Sequence, residues 1–213
     1  MTNQKRKKIT VGIIGATGYA GAELVRILSG HPHVRLTVLT SRQYAGVRFD
    51  QVYPAMQGRV PLVCEAFSME RLEDACEVIF MALPHKIPMS IVPELMAKGK
   101  RVIDLSADFR FNDPALYESV YQRHTAKELL GDAVYGLSEV YSEDIQGAAL
   151  IGNPGCYPTS ALLPSIPLLR GGLIDPASIV IDAKSGVSGA GRSLSLGTHS
   201  VSYTHLRAHE TLT

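Results

Sequence analysis

The stretch Ile9-Thr10-Val11-Gly12-Ile13-Ile14, running into Gly15-Ala16-Thr17-Gly18-Tyr19-Ala20-Gly21, decides how this chain folds. Its first six residues are a compact apolar run, as a parallel strand buried on both faces requires. The next seven form a glycine-rich turn, and Ala22-Glu23-Leu24-Val25-Arg26-Ile27-Leu28 then carries a helical pattern. Strand, glycine turn and helix in this order make a seat for a dinucleotide pyrophosphate. Gly15, Gly18 and Gly21 let the backbone approach the phosphates, and the helix N-terminus supplies N–H donors. Thr17 and Tyr19 belong to the same expected cofactor-binding turn. The spacing is G-x-x-G-x-x-G rather than the commoner G-x-G-x-x-G, so a glycine turn without ligand is the competing reading.

The second strand selects the cofactor. Residues 34–40 are apolar and β-branched and lead into Ser41-Arg42. An NAD site usually places Asp or Glu here to hold the ribose 2′-hydroxyl. Ser41 and Arg42 instead offer a hydroxyl and a guanidinium, which suit a 2′-phosphate. The expectation is NADP(H), against a merely solvated surface arginine.

Strand and helix patterns alternate onward from there. Residues 60–64 and 78–82 are strand candidates, 86–98 carry a helical pattern interrupted by Pro88 and Pro93, and 101–105 return to strand. This alternation argues for an α/β chain with a doubly wound parallel (Rossmann) sheet. Such sheets bind ligands beyond the carboxyl ends of their strands. His85 follows one of those ends, where it either faces cofactor or makes a structural loop bond. Arg110 follows another, where it either clamps a substrate anion bidentately or pairs with Asp104 or Asp108. Residues 112–130 read as an irregular, partly helical excursion in which Tyr117, Tyr121 and His124 have no assigned role.

Cys156 is the candidate nucleophile. It lies in Asn153-Pro154-Gly155-Cys156-Tyr157-Pro158-Thr159, between a short apolar strand at 148–151 and a helix-compatible segment at 159–170. Pro154 and Gly155 force a sharp turn that sets the thiol at or just before a helix N-terminus, where unpaired N–H groups and the helix dipole favour the thiolate. The bland alternative is a buried structural cysteine. A glycine break at Gly171-Gly172 and a strand at 178–183 follow. The expected division is a dinucleotide-binding domain at 1–152, a partial second α+β domain at 153–199 and a separate tail at 200–213.

Composition narrows the class. The 213 residues are 46% hydrophobic and 19% charged, with a net charge of +1. That balance gives no reason to expect nucleic acid or an anionic membrane as partner. No apolar run approaches the ~18 residues of a membrane span, and no signal-peptide cleavage pattern follows the basic Lys5–Lys8 cluster. The three cysteines have no metal-ligand spacing and are too few for a disulfide framework. The expectation is a metal-free cytoplasmic chain with Cys64 and Cys76 as core fillers.

These segments together resemble the N-acetyl-gamma-glutamyl-phosphate reductase family of arginine biosynthesis. The likeness rests on 15–21, on Leu39-Thr40-Ser41-Arg42, on Asp104-Leu105-Ser106-Ala107-Asp108-Phe109-Arg110, on Val134-Tyr135-Gly136-Leu137-Ser138-Glu139, on the Cys156 block, and on Asp182-Ala183-Lys184-Ser185-Gly186-Val187-Ser188-Gly189-Ala190-Gly191-Arg192. It covers about 9–199, and the Cys156 and Ser185–Arg192 blocks are its most specific parts. The resemblance implies an NADPH-dependent oxidoreductase in which the Cys156 thiolate attacks an acyl phosphate, expels phosphate and leaves a thioester for reduction to a semialdehyde. It implies that Ser188 and Gly189 lie near nicotinamide and substrate, that Ser188 or Arg192 holds an anion, that Arg110 and Asn153 bind substrate, and that the full-length enzyme is a homo-oligomer. Reductases of carrier-bound aminoadipyl phosphate are the near alternative, and aspartate-semialdehyde dehydrogenases are more distant. A catalytically incomplete NADP-binding fragment is a third reading. The family's acid/base histidine is expected in a block that this chain lacks. Residues 200–213 do not match the family and read as translated adapter sequence on a truncated product, so His205 and His209 are not assigned.

Overall fold

A computed structural model of the chain describes residues 7–192. In chain order it forms β1 (Ile9–Ile14), α1 (Tyr19–Ser29), β2 (Val34–Thr40), α2 (Phe49–Val52), α3 (Met69–Ala75), β3 (Val78–Met81) and α4 (Pro88–Ala97). Then come β4 (Arg101–Asp104), α5 (Pro114–Val120), β5 (Ala133–Tyr135), α6 (Ser138–Gly147), β6 (Leu150–Gly152) and α7 (Cys156–Arg170). The strands form one sheet in the order β2-β1-β3-β4-β6-β5, and every neighbouring pair is parallel.

Alternation along the strands explains the layering. Val11 and Ile13 point to one face, where they pack with Leu39, Val25 of α1 and Phe49 of α2. Ile14, Val38, Ile79 and Met81 point to the other, against Leu72 of α3 and Met89, Val92 and Leu95 of α4. Both faces are therefore covered, as a parallel sheet requires. Each such side chain contributes about 1.5–3 kcal/mol by leaving water. β2 and β3 flank β1 on opposite sides, so the chain reverses its winding direction there. The crevice beyond the carboxyl ends of β1 and β3 is a topological switch point, the general ligand site of such sheets.

Two expected strands are not strands. Residues 60–64 make only an antiparallel bridge, Arg48 with Val63, and the adjoining Thr40–Glu65 bridge. Pro61 has no N–H for a ladder, and Val60 and Cys64 serve as buried plugs on the α1 side of the core. Residues 178–183 pair with no strand among the described residues, and Val180 is 91% exposed there. The short β5 and the polar α6, both adjoining β6, carry no clear local signal in the sequence.

Candidate functional site

The glycine turn closes tightly under the start of α1. Gly15 has a φ of 81°, and the Gly18 N–H donates to the Gly15 carbonyl at 3.2 Å. A Cβ on Gly21 would lie 2.2 Å from the Gly15 oxygen and 2.8 Å from the Ala16 Cα, so only glycine lets α1 sit this close. The N–H groups of Tyr19, Ala20 and Gly21 have no intrahelical acceptor. The first turn of α1 carries no acidic side chain, which leaves its positive dipole end available to a pyrophosphate. The residues present thus fit the dinucleotide that the sequence implies.

The end of β2 is fastened to that turn. Thr17 Oγ1 and Ser41 Oγ share a buried hydrogen bond of 2.6 Å, and the Tyr44 N–H donates to Ser41 Oγ at 3.1 Å. Ser41, expected to face cofactor, is 4% exposed and is engaged in positioning the turn. Arg42 is exposed at the same strand end.

Cys156 opens α7, with Gly155 as its N-cap, and is exposed, whereas Cys64 and Cys76 are buried. Burial raises the pKa of both of those thiols. Pro158 removes one orphan N–H of the first turn, leaving those of Cys156 and Tyr157 without an intrahelical acceptor. The turn before the thiol is tied to β4: the Asn153 N–H donates to the Asp104 carbonyl at 2.8 Å. Arg110 Nε donates to the Asn153 carbonyl at 2.7 Å, and its Nη2 donates to the Leu105 carbonyl at 2.9 Å. A cavity of about 660 Å³ lies over this turn, lined by Cys156, Asn153, Arg110, Thr159, Gly189 and, from α1, Ala20. The glycine turn and the thiol therefore open onto one space.

Behind the cavity lies a buried polar cluster, whose members Tyr117 and His124 have no role assigned from the sequence. Asp104 is fully buried and accepts the Ser106 N–H at 3.0 Å and the Ser106 hydroxyl at 2.6 Å. Desolvation pushes its pKa up to about 7. Asp108 accepts the Lys86 and Met89 N–H groups at the start of α4, and the Tyr117 hydroxyl at 2.9 Å. Burial, with this bond to Asp108, raises the Tyr117 pKa. His124 bonds the Asp108 carbonyl through Nε2 at 2.8 Å. His85 Nδ1 accepts the Ala107 N–H at 2.8 Å, so its ring is bonded to the loop.

Of the late block, Ser188 and Gly189 lie in a short 3-10 turn, Val187–Ala190. Gly189 lines the thiol cavity, while Arg192 reaches the carbonyl of Thr17 at 3.0 Å. The resemblance implies that this block lies near nicotinamide and substrate and that Ser188 or Arg192 holds an anion; Arg192 lies against the glycine turn. Residues 200–213, with His205 and His209, lie outside the described residues. Among those described, no group of three or more His, Cys, Asp or Glu side chains is arranged to hold a metal. No described helix is long and apolar enough to cross a membrane.

Known proteins match this arrangement. The semialdehyde dehydrogenase NAD-binding domain matches residues 10–148, and the semialdehyde dehydrogenase dimerisation domain matches 156–210. The second match runs into the stretch expected to be foreign. N-acetyl-gamma-glutamyl-phosphate reductase of Desulfotalea psychrophila is 54% identical over 89% of this chain and 55% of its own length. The enzyme of the same name from Desulforudis audaxviator is 56% identical, over 90% and 56%. The chain spans about half the length of these curated relatives. Aspartate semialdehyde dehydrogenase II of Vibrio cholerae, in complex with ASA, shares the fold at a TM-score of 0.55 and 19% identity, covering 77% of this chain and 47% of its own. The Candida albicans enzyme with NADP does so at 0.51 and 17%, covering 79% and 48%.

Proposed function

The chain belongs to the semialdehyde dehydrogenase family, and from that premise we propose that it carries the NADPH-binding and thiol-bearing part of an N-acetyl-gamma-glutamyl-phosphate reductase. The observation that carries this reading is the shared cavity, where Ala20 of the dinucleotide-binding turn and Cys156 line the same space. In the proposed reaction the Cys156 thiolate attacks the acyl carbon of N-acetyl-glutamyl 5-phosphate. A carbon–sulfur bond forms, the carbon–oxygen bond to phosphate breaks, and inorganic phosphate leaves. When bound, the nicotinamide supplies a hydride that takes the thioester to the aldehyde level. Hydride addition leaves the thiohemiacetal oxyanion, which re-forms the carbonyl as the carbon–sulfur bond breaks, releasing the semialdehyde and the Cys156 thiolate. The Cys156 and Tyr157 N–H groups at the mouth of α7 would be donors for the oxyanion of each addition.

The supporting roles follow from the contacts. Gly15, Gly18, Tyr19 and Gly21 would hold the pyrophosphate, and Arg42 would face the 2′-phosphate of NADPH. Arg110 and Asn153 border the substrate's space. We place the domain division at 152/153, the point where β6 ends and the thiol turn begins. The dimerisation-domain likeness supports assembly into a homo-oligomer, and exposed Leu173, Val180 and Ile181 are apolar surface for it. Free, unpaired thiols fit a reducing cytoplasm.

The test is phosphate-dependent NADP⁺ reduction with N-acetylglutamate semialdehyde, wild type beside Cys156→Ser. Turnover in the wild type that vanishes in the variant is the expected result. A soluble wild type that binds NADPH yet shows no phosphate-dependent turnover would reduce the reading to a nucleotide-binding unit.

A further inference from the structure

Arg192 links the end of the glycine-serine loop to the nucleotide turn, across most of the chain. Its guanidinium lies between the rings of Tyr44 and Tyr53, 5.1 Å from each centroid. Nη1 donates to the Thr17 carbonyl at 3.0 Å and to the Tyr53 hydroxyl at 3.2 Å. Nη2 donates to the Tyr44 hydroxyl at 3.2 Å. The Tyr53 hydroxyl donates to the same Thr17 carbonyl at 2.9 Å. A guanidinium has five N–H donors, and these contacts engage three of them. Arg192 is half-buried, so the remaining donors act where water screens them less than at the surface.

The position of this cation within the site is set by Thr17 and Tyr44. Thr17 gives its carbonyl to Arg192 and its hydroxyl to Ser41, the latter at 2.6 Å. Tyr44 gives its phenol to Arg192 and its backbone N–H to Ser41. Arg192 and Ser41, at the end of β2, therefore share two bonding partners, Thr17 and Tyr44. That strand end is where such folds read the 2′ position of the adenosine ribose. Ser41 is already engaged there, and Arg42 is exposed; a lone exposed guanidinium discriminates weakly against a neutral hydroxyl.

We propose that Arg192 is a second recognition residue for the adenosine 2′-phosphate of the cofactor, supplied from the later segment to complete the Ser41–Arg42 strand end. Stacking between two phenol rings pre-orders the guanidinium, so less side-chain freedom is lost when the phosphate binds. Gly189, three residues earlier, lines the Cys156 cavity. Engagement of the 2′-phosphate by Arg192 thus holds the same loop against the thiol. The inference rests on the NADPH reading above and extends it to a residue outside the dinucleotide-binding domain.

The test is calorimetric titration of the whole chain with 2′,5′-ADP and, separately, with 5′-AMP. The proteins are wild type, Arg192→Met and Arg192→Lys, each first shown to unfold in one cooperative thermal transition. Arg192→Met is expected to weaken 2′,5′-ADP binding by about tenfold or more while 5′-AMP changes by less than about twofold. Arg192→Lys is expected to fall between. Equal losses for both nucleotides, unchanged binding, or tighter binding in Arg192→Met would overturn the inference alone. A wild type that does not distinguish the two nucleotides would overturn the NADPH reading and the inference with it.

Discussion

Arg110 Nε donates to the carbonyl of Asn153 at 2.7 Å, which fastens the loop after β4 directly to the turn that presents Cys156. The same side chain holds the Leu105 carbonyl. Replacing it with Met leaves two partly buried carbonyls without a charged donor, at a cost of about 1–3 kcal/mol. Arg110→Met is expected to lower the denaturant midpoint and to alter the alkylation rate of Cys156. Arg110→Lys is expected to restore only part of either, because one ammonium lacks the fork that spans both acceptors. An unchanged midpoint and rate would show that the tie is dispensable.

Gly21→Ala puts a methyl group 2.2 Å from the Gly15 oxygen. The obstruction is backbone, so α1 must move off the turn. NADPH binding, followed by nicotinamide fluorescence, is expected to fall by about tenfold or more, with a lower thermal midpoint. Gly18 is the control, because a Cβ there would meet only the Gly15 oxygen, at 3.6 Å. Gly18→Ala is expected to disturb stability far less.

Asp104 gives the protein a pH dependence opposite to that of most carboxylates. Its folded pKa of about 7 lies above the ordinary value of 3.8. The folded state therefore holds the proton more tightly than the unfolded chain between those values. Stability from this group is full near pH 4, falls as pH rises, and is lost above pH 7, by at most about 4 kcal/mol. Asn mimics the protonated acid: its carbonyl accepts the Ser106 N–H and its amide donates to the Ser106 hydroxyl. The difference in thermal midpoint between Asp104→Asn and wild type is expected to grow from pH 5 to pH 8. Glu23, Asp50, Glu77 and Glu118, whose pKa values are lowered by their partners, cancel in that difference.

Among the three cysteines, Cys156 alone is exposed. A disulfide reagent added to the native protein is expected to modify one thiol rapidly and the other two only on unfolding. Cys156→Ser should abolish the rapid phase without changing the thermal midpoint. Rapid modification of two or three thiols would contradict the burial of Cys64 and Cys76.

The first βα unit, the parallel sheet and the exposed cysteine at a helix start are legible in the sequence because each has a local signal. An apolar run feeds a glycine turn at 9–21, and Pro154-Gly155 breaks the chain before Cys156. The run at 60–64 misleads because an apolar segment satisfies a strand and a core plug equally well, and Pro61 is the only local sign of the difference. Ser41 reads locally as a phosphate ligand, and its bond to Thr17 depends on the packing of β1 against β2. Arg192 is legible only as an anion-binding candidate. Its place between Tyr44 and Tyr53 joins residues 148 and 139 positions apart, and no local pattern encodes such a meeting.

The strand order carries a consequence for how the chain assembles as it is made. β5 leaves the ribosome before β6, yet its ladder partner in the sheet is β6, which also pairs with β4. Residues 133–135 must therefore wait, with their backbone groups in water, until 150–152 have been synthesised and inserted between β4 and β5. Four residues after that strand ends comes Cys156. Closure of the sheet edge and delivery of the nucleophile are thus one event, and a nascent chain that fails to seat β6 forfeits both together.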